Sequence, residues 1–408
     1  MPTDERTLLV VDDSDDNRYT LCRRLAREGY TRVLTAANGV EALALLRAQR
    51  VDLVLLDIMM PDMDGYQVLE ALKGDEVLRH IPVIMISGVD QLESVVRCIE
   101  LGADDYLPKP FNATLLRARV GASLEKKRLR DEVVDALGRL ERELRAARDV
   151  QLAMVPTTFP PPTRERPVEI FGCLLPAREV GGDLFDFFWR DPRTLCFVVA
   201  DVSDKGAPAA LFMARTRTLI RLVATLTAGG AGTQHLETIV RLVNAELCAD
   251  NPSVTFVTLV LGMLDVSTGA LTLCNAGHPR PLRLDARGAI ERCDTGPLQP
   301  PLGVDARLQH RAVAGTLMPG QTLFLYTDGI TEAAQADGAL FGDLRVETAL
   351  DGLARESAEV LVGRVIEAAR TFAGATPQAD DVAAMAIRFL PLAVVGSIGL
   401  SRARPGRP

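Results

Sequence analysis

Residues 51–65 read VDLVLLDIMMPDMDG: a run of branched apolar residues, an aspartate at its end, and then a turn built on Pro61 and Gly65. An apolar run of that length without alternation is what a strand buried on both faces of a parallel sheet presents. Working outward, the unit recurs. LLVV at 8–11, RVLTA at 32–36, PVIMIS at 82–87 and ADDYLPKP at 103–110 are further strand-like segments. Helical periodicities lie between them near 15–27, 39–49 and 91–101, and a last helix starts from Asn112. This βα alternation from Thr7 to about Leu124 predicts an α/β doubly wound parallel sheet, whose ligands sit at the carboxyl ends of the strands. Asp12, Asp13, Asp57, Ser87 and Lys109 all fall at or just after those ends.

From Gly121 to Val155 the composition turns to Glu, Arg, Leu and Ala without Pro. Val133, Leu137, Leu140, Leu144, Ala147, Gln151 and Met154 follow one another at spacings of 4, 3, 4, 3, 4 and 3. That is a heptad seam of about three repeats, with Gln151 as a polar seam residue of the kind that sets register. A single helix lying on a neighbouring domain is the alternative reading. Pro156 and the run Pro160, Pro161, Pro162 end the helix.

Beyond it, VEIFGCLL, TLCFVVADV, TFVTLVLGMLD, ALTLCNAG, TLFLYTDG and VAAMAIRFL are strand-like, with longer helical patterns at 207–227, 235–249 and 345–370. Strands in consecutive groups with separate long helices predict an α+β, α-β-β-α sandwich. The expected division is a first domain at 1–122, a helical coiled-coil linker at 123–157, a second domain at 158–390 and a disordered tail at 391–408.

With 408 residues, 48% apolar and 25% charged, the chain has ample core for two or three domains. A net charge of -8 argues against nucleic acid as a partner, which needs clustered Lys and Arg. The seven cysteines are scattered without CxxC spacing, so buried thiols in a reducing compartment are expected rather than a zinc site or disulfide frame. The first residues do not read as a signal peptide, and no stretch approaches the roughly 20 apolar residues of a membrane span. The expected location is cytoplasmic, with no membrane partner.

Two sets of aspartates carry the chemistry. Asp12, Asp13 and Asp57 form one; Asp183, Asp201, Asp328, Asp380 and Asp381, each after an apolar or small-residue segment, form the other. Clustered carboxylates repel unless a hard cation neutralises them, and all-oxygen ligands suit Mg2+ or Mn2+. Both sets are therefore read as divalent-metal sites.

With VVDDS (10–14), LLDIMMPDMDG (55–65), MISG (85–88) and LPKP (107–110), residues 6–124 resemble a two-component response-regulator receiver domain. The resemblance implies Asp57 as phosphoacceptor, and Asp12, Asp13 and the Met59 carbonyl as ligands of Mg2+. Lys109 and the Ser87 hydroxyl take the phosphoryl oxygens, and Tyr106 matches the switch aromatic. A sensor histidine kinase is the implied donor.

PAREVGGDLFDFF (176–188), VVADVSDKGAPAALFM (198–213), CNAGHPRPL (274–282), LYTDGITEA (325–333) and QADDVAAMAIRF (378–389) together resemble the bacterial branch of the protein phosphatase 2C superfamily. That branch dephosphorylates regulators of sigma factors and sporulation. The resemblance implies a metal-dependent serine/threonine phosphatase holding two Mn2+ or Mg2+ through Asp183, Asp201, the Val202 carbonyl, Asp328, Asp380 and Asp381. Asp201 is the shared ligand of a two-metal site. Arg178 is the candidate contact for substrate phosphate. The glycines 181, 182, 206 and 329 allow close backbone approach or positive φ. His278 is read as a turn residue outside the catalytic set. Two departures stand out: Asp204 where the family has Gly, and Val382 where a Thr or Ser follows the acidic pair.

The implied substrate is a phosphorylated anti-sigma-factor antagonist of the STAS type, and the implied assembly a homodimer through receiver and linker helix. The alternative is a catalytically weak phosphatase-like scaffold under receiver control. A diguanylate cyclase is disfavoured because Leu184, not Glu, follows Gly-Gly-Asp. A DNA-binding output is disfavoured by acidity and the lack of a helix-turn-helix pattern.

Overall fold

The computed structural model describes residues 4–88, 92–227, 230 and 232–391. The chain divides into two compact units, Met1–Glu141 and Arg142–Pro408. In the first, strands β1 (Asp4–Val11), β2 (Tyr30–Ala36), β3 (Leu53–Asp57), β4 (Val83–Ser87) and β5 (Asp105–Pro108) alternate with helices α1 (Asp15–Arg27), α2 (Gly39–Ala48), α3 (Gly65–Gly74) and α4 (Leu92–Glu100). The strands pair in parallel in the order β2-β1-β3-β4-β5. Every residue of β3 and β4 is buried, as their unbroken apolar runs require. Leu9, Val54, Leu56 and Met85 face one core, and Leu8, Val10, Leu55 and Ile84 face another on the opposite side. Ser14, Asn38 and Asp64 start α1, α2 and α3, each accepting from the main-chain N–H three residues on.

Helix α5 (Ala113–Met154) is one uninterrupted element, so the backbone has no break at the expected 122/123 boundary. Its first turns bury Leu116, Val120 and Leu124. Farther along, Val133, Leu137 and Leu140 are each more than half exposed. Gln151 departs from its place on the seam: it is buried against the second unit's own backbone, because its amide finds both a donor and an acceptor there.

In the second unit, β6 (Val168–Leu175), β7 (Leu184–Trp189) and β8 (Thr194–Val202) lead to α6 (Ala207–Leu226) and α7 (Gly232–Cys248). Then come β9 (Val257–Asp265), β10 (Ala270–Ala276), β11 (Leu282–Leu284), β12 (Ile290–Arg292), β13 (Ala312–Thr316) and β14 (Thr322–Tyr326). The rest is α8 (Asp328–Thr331), α9 (Gly342–Leu350), α10 (Ala358–Ala373) and β15 (Val382–Phe389). Two antiparallel sheets result, β13-β10-β9-β8-β7 and β12-β11-β14-β15-β6. Phe185, Phe197, Leu273, Leu325 and Met385 fill the space between them. Helices α6 and α7 cover the first sheet and α8 to α10 the second, giving the α-β-β-α sandwich.

The single helical pattern expected at 345–370 is two helices. Gly352 takes φ +73° after α9, which favours glycine, and Ser357 then caps α10 by accepting from Val360 N at 3.3 Å. All seven cysteines are free. No described helix is long and apolar enough to cross a membrane. The expected tail, from 392 onward, lies outside the described residues.

One buried charge ties α6 to the first sheet. Asp186 of β7 is 1% exposed and meets Arg217 Nε at 3.0 Å and Arg221 Nε at 2.6 Å. Removing one member of such a group strands the others. Asp186→Ala is expected to cost ~2–3 kcal/mol, below the ~3–5 of a fully buried pair, since the arginine side chains keep 20% and 38% exposure. An unchanged urea midpoint would contradict this.

Candidate functional site

The first site is built from the carboxyl ends of the parallel strands. Asp12 follows β1, Asp57 closes β3, Ser87 closes β4 and Lys109 follows β5. Asp12, Asp57 and Ser87 are buried while Asp13 is exposed. Ligand oxygens of Asp12, Asp13 and Asp57 all lie within 4.8 Å of one another. Lys109 Nζ stands 2.8 Å from Asp12 Oδ2 and 3.0 Å from Asp57 Oδ1. Burial raises the Asp57 pKa, an effect Lys109 opposes. Burial also works against the Lys109 ammonium, but its bonds to Asp12 and Asp57 carry its pKa above the ordinary value.

The Asp12 carboxylate is further positioned by Ser14 N and Asn17 Nδ2, both at 3.0 Å. The Lys109 main chain is held by its N–H to Ser87 O at 2.8 Å. Met59 lies two residues past Asp57 with its side chain exposed. Tyr106 packs in part against the core on one side of the sheet. Three carboxylates against one ammonium leave a charge deficit that a divalent cation fits.

The second site gathers residues from both antiparallel sheets. Asp183 precedes β7, Asp201 lies near the end of β8 opposite Thr258, Asp328 opens α8, and Asp380 and Asp381 precede β15. Asp183 is 2% exposed; its Oδ2 accepts from Thr327 Oγ1 at 2.7 Å. The same hydroxyl accepts from Ala383 N at 2.8 Å, so Thr327 supplies a hydroxyl beside the acidic pair where Val382 cannot.

Burial first, and then the Asp201 charge, raise the Asp183 carboxyl far above the usual range. Burial and the Asp328 charge push Asp201 up to about 7, and burial with Glu332 and Asp380 raises Asp328. Among the described residues only the first site brings three ligand oxygens mutually within 4.8 Å; the second set stands wider. Its all-oxygen donors and raised pKa values fit hard divalent cations, which favour the charged forms.

Asp381 does more than the motif implies. Its Oδ1 accepts from Ala177 N at 2.8 Å and its Oδ2 from Gly182 N at 2.7 Å, so it clamps the 177–182 loop. A Cβ on Gly181 would fall 2.0 Å from that carboxylate, and one on Gly329 1.8 Å from Asp381 O. Glycine is required at both places by close approach. The Val202 carbonyl faces this loop, 2.8 Å from where a Gly182 Cβ would be. Gln151 completes the support: its side-chain oxygen accepts from Gly181 N at 3.1 Å and its amide donates to Gly181 O.

Asp380 meets Lys205 Nζ at 2.9 Å through Oδ2. Lys205 also donates to Ala379 O at 2.8 Å. Asp204, the departure from glycine, takes φ +72°, a strained conformation for a residue with a Cβ. Arg178 is exposed on the clamped loop and has no ion pair among the described residues. His278 is a buried turn residue: Asn275 Oδ1 accepts its N–H at 2.8 Å, and its Nδ1 lies 2.8 Å from Thr258 Oγ1. Burial pushes its pKa down to about 3, leaving the ring neutral. Sequence reading missed Thr327 and Lys205, whose only signal was membership of the TDG and DVSDKG segments, and read Gln151 as a seam residue rather than a partner of Gly181.

Comparison with known proteins agrees with both halves. The model of the response regulator receiver domain matches residues 8–121, and that of stage II sporulation protein E matches residues 191–390. A probable cyclic di-GMP phosphodiesterase of Vibrio cholerae is 41% identical over 34% of this chain and 31% of its own length. Response regulator PleD of Caulobacter vibrioides is 41% identical over 31% of this chain and 28% of its own. This chain therefore spans less than a third of either relative. Among solved structures, the SiaA-PP2C domain of Pseudomonas aeruginosa shares the fold, with a TM-score of 0.54 and 21% identity over 62% of this chain and 98% of that one. Residues 8–121 thus form a receiver domain of the response-regulator type, and residues 191–390 match the stage II sporulation protein E family.

Proposed function

We propose that this chain is a phosphorylation-controlled, metal-dependent phosphatase acting on phosphoserine or phosphothreonine of a protein. The observation that carries the reading is the set Asp183, Asp201, Asp328 and Asp380, drawn from both sheets into one acidic cluster in which burial and neighbouring carboxylates disfavour the charged forms of Asp183, Asp201 and Asp328. These four, with the Val202 carbonyl and the remaining lone pairs of Asp381, hold two Mn2+ or Mg2+. Bound there, the cations supply an activated water and stabilise the phosphoryl oxygens. Thr327 orients Asp183, the Asp381 clamp fixes the loop bearing Arg178, and Arg178 takes the substrate phosphate.

At the receiver, Asp57 Oδ accepts the phosphoryl group of a histidine kinase while Asp12, Asp13 and the Met59 carbonyl hold Mg2+. Lys109 then turns to the phosphoryl oxygens with the Ser87 hydroxyl. The functional division is a receiver at 1–122, a helical linker at 123–157 and a phosphatase at 158–390. The substrate class that fits the family is a phosphorylated anti-sigma-factor antagonist of the STAS type, and the location is cytoplasmic.

The exposed residues Val133, Leu137 and Leu140 of α5 fit a second copy of the helix, which makes the chain a homodimer. Phosphorylation shifts that pairing and biases the metal site through the same helix.

Three outcomes test this. Asp201→Asn is expected to abolish Mn2+-dependent hydrolysis of p-nitrophenyl phosphate while Asp57 still takes phosphate from acetyl phosphate; full hydrolysis by the variant would sink the site. Asp57→Ala is expected to remove the effect of phosphorylating conditions on both phosphatase rate and sedimentation, and identical responses in variant and wild type would remove the coupling. The third concerns pH. The ordinary Asp value is about 3.9, and the folded chain pushes Asp201 up to about 7. The protonated form thus favours the fold, and its contribution is lost as pH rises between those values. The metal-free protein is expected to melt lower at pH 8 than at pH 5, and Mn2+ is expected to restore the loss; calorimetry showing no Mn2+ effect would contradict it.

A further inference from the structure

Adjoining the second set of carboxylates is a cavity of about 300 Å3 that the chemistry above does not use. Its apolar wall is made by Leu175, Ile366, Ala369, Ala373, Pro377 and Val382. Asp380 and Gly329, the neighbour of Asp328, also line it, so it shares a boundary with the metal site. The wall is built rather than collapsible. Gln378 Nε2 donates to Leu175 O at 2.8 Å and to Asp380 O at 2.7 Å, fixing the 376–380 turn. Helix α10 is anchored on its other side by buried Leu361, Val362 and Val365.

Size and charge restrict the occupant. The volume is about twice the ~150 Å3 of an apolar cavity that takes benzene and at the lower end of the ~300–1,000 Å3 of small-ligand pockets. One large apolar side chain with its adjoining backbone fits; a folded element does not. Arg370 is the one cationic side chain among the lining residues, and it is exposed without an ion pair among the described residues. Glu332 and Asp380 also line the cavity, and Asp380 is already met by Lys205; at the Arg370 side of the apolar wall the complement is an acidic group next to an apolar one.

We propose that this cavity is the specificity pocket of the phosphatase, taking a large apolar side chain of the substrate close to the phosphorylated residue, with an acidic neighbour on Arg370. An extended chain covers ~3.3–3.6 Å per residue. Since Asp380 belongs to both site and cavity, the apolar residue lies within about three positions of the phosphoserine. The proposal rests on the phosphatase reading and adds the sequence class that the site selects.

The test uses the full chain with Mn2+, p-nitrophenyl phosphate, and matched phosphoserine peptides. The parent peptide carries Leu and Glu on each side of the phosphoserine; one relative has Gly for Leu, another Gln for Glu. Wild type is expected to prefer the Leu peptide over the Gly peptide about tenfold or more in kcat/KM, the scale of apolar side-chain discrimination. Ala373→Leu, which fills the cavity from a partly exposed position, is expected to bring the ratio of Leu peptide to p-nitrophenyl phosphate down about tenfold. Arg370→Glu is expected to reverse the preference for Glu over Gln. Anisotropy of labelled peptides on the metal-free chain should follow the same order.

Hydrolysis of p-nitrophenyl phosphate without peptide discrimination, or discrimination that survives both variants, overturns the pocket alone. Absence of any hydrolysis by wild type overturns the phosphatase reading and the pocket with it.

Discussion

Carboxylates packed together away from water repel one another, and each also loses hydration it would have in solution. Both sites of this chain are organised around that constraint. The receiver meets it with an internal cation, since Lys109 reaches both Asp12 and Asp57. The second site meets it at Asp183 and Asp381 with neutral donors, the Thr327 hydroxyl and main-chain N–H groups, and with a cation only at Asp380, through Lys205. Neutral donors offset less charge than an ammonium, and in the second set burial and neighbouring carboxylates raise the pKa values of Asp183, Asp201 and Asp328.

The neutral donors demand a particular backbone. Two N–H groups reach Asp381 only because the 177–182 loop comes close enough that Gly181 has no room for a Cβ. The same glycine gives both its N–H and its carbonyl to Gln151 near the end of α5. A side chain of the helix that starts in the receiver thereby holds the loop that leads into Asp183. The position of that helix end and the shape of the acidic cluster are linked through the backbone of one residue, Gly181.

Much of this was legible in residue order. The receiver's β3 and β4 are unbroken apolar runs buried on both faces, and their strand ends deliver Asp57 and Ser87 where a parallel sheet places ligands. Strands β6, β8, β9, β10, β14 and β15 were readable from their Val, Leu and Phe content. Strands β11 and β12 were not, because three residues each hold too few positions for a period to register, and β13 was not because AVAGT is poor in large apolar residues. The break between α9 and α10 was hidden because the helical pattern resumes after Gly352, and only the φ of that glycine marks the stop.

Sequence alone determined the two fold classes and singled out both groups of aspartates with the glycines beside them, because periodicity and local motif chemistry are properties of neighbouring residues. Tertiary structure decided what each polar group does. Asp381 became a clamp through bonds spanning 204 and 199 residues. Thr327 became the partner of Asp183 across 144, and Gln151 left a helical seam for a loop 30 residues away. The cavity beside Asp380 likewise exists only where β6, α10 and the 376–380 turn meet. Hydrogen bonds of this reach depend on where the packed sheets bring distant backbone groups, and no pattern of adjacent residues encodes that placement directly.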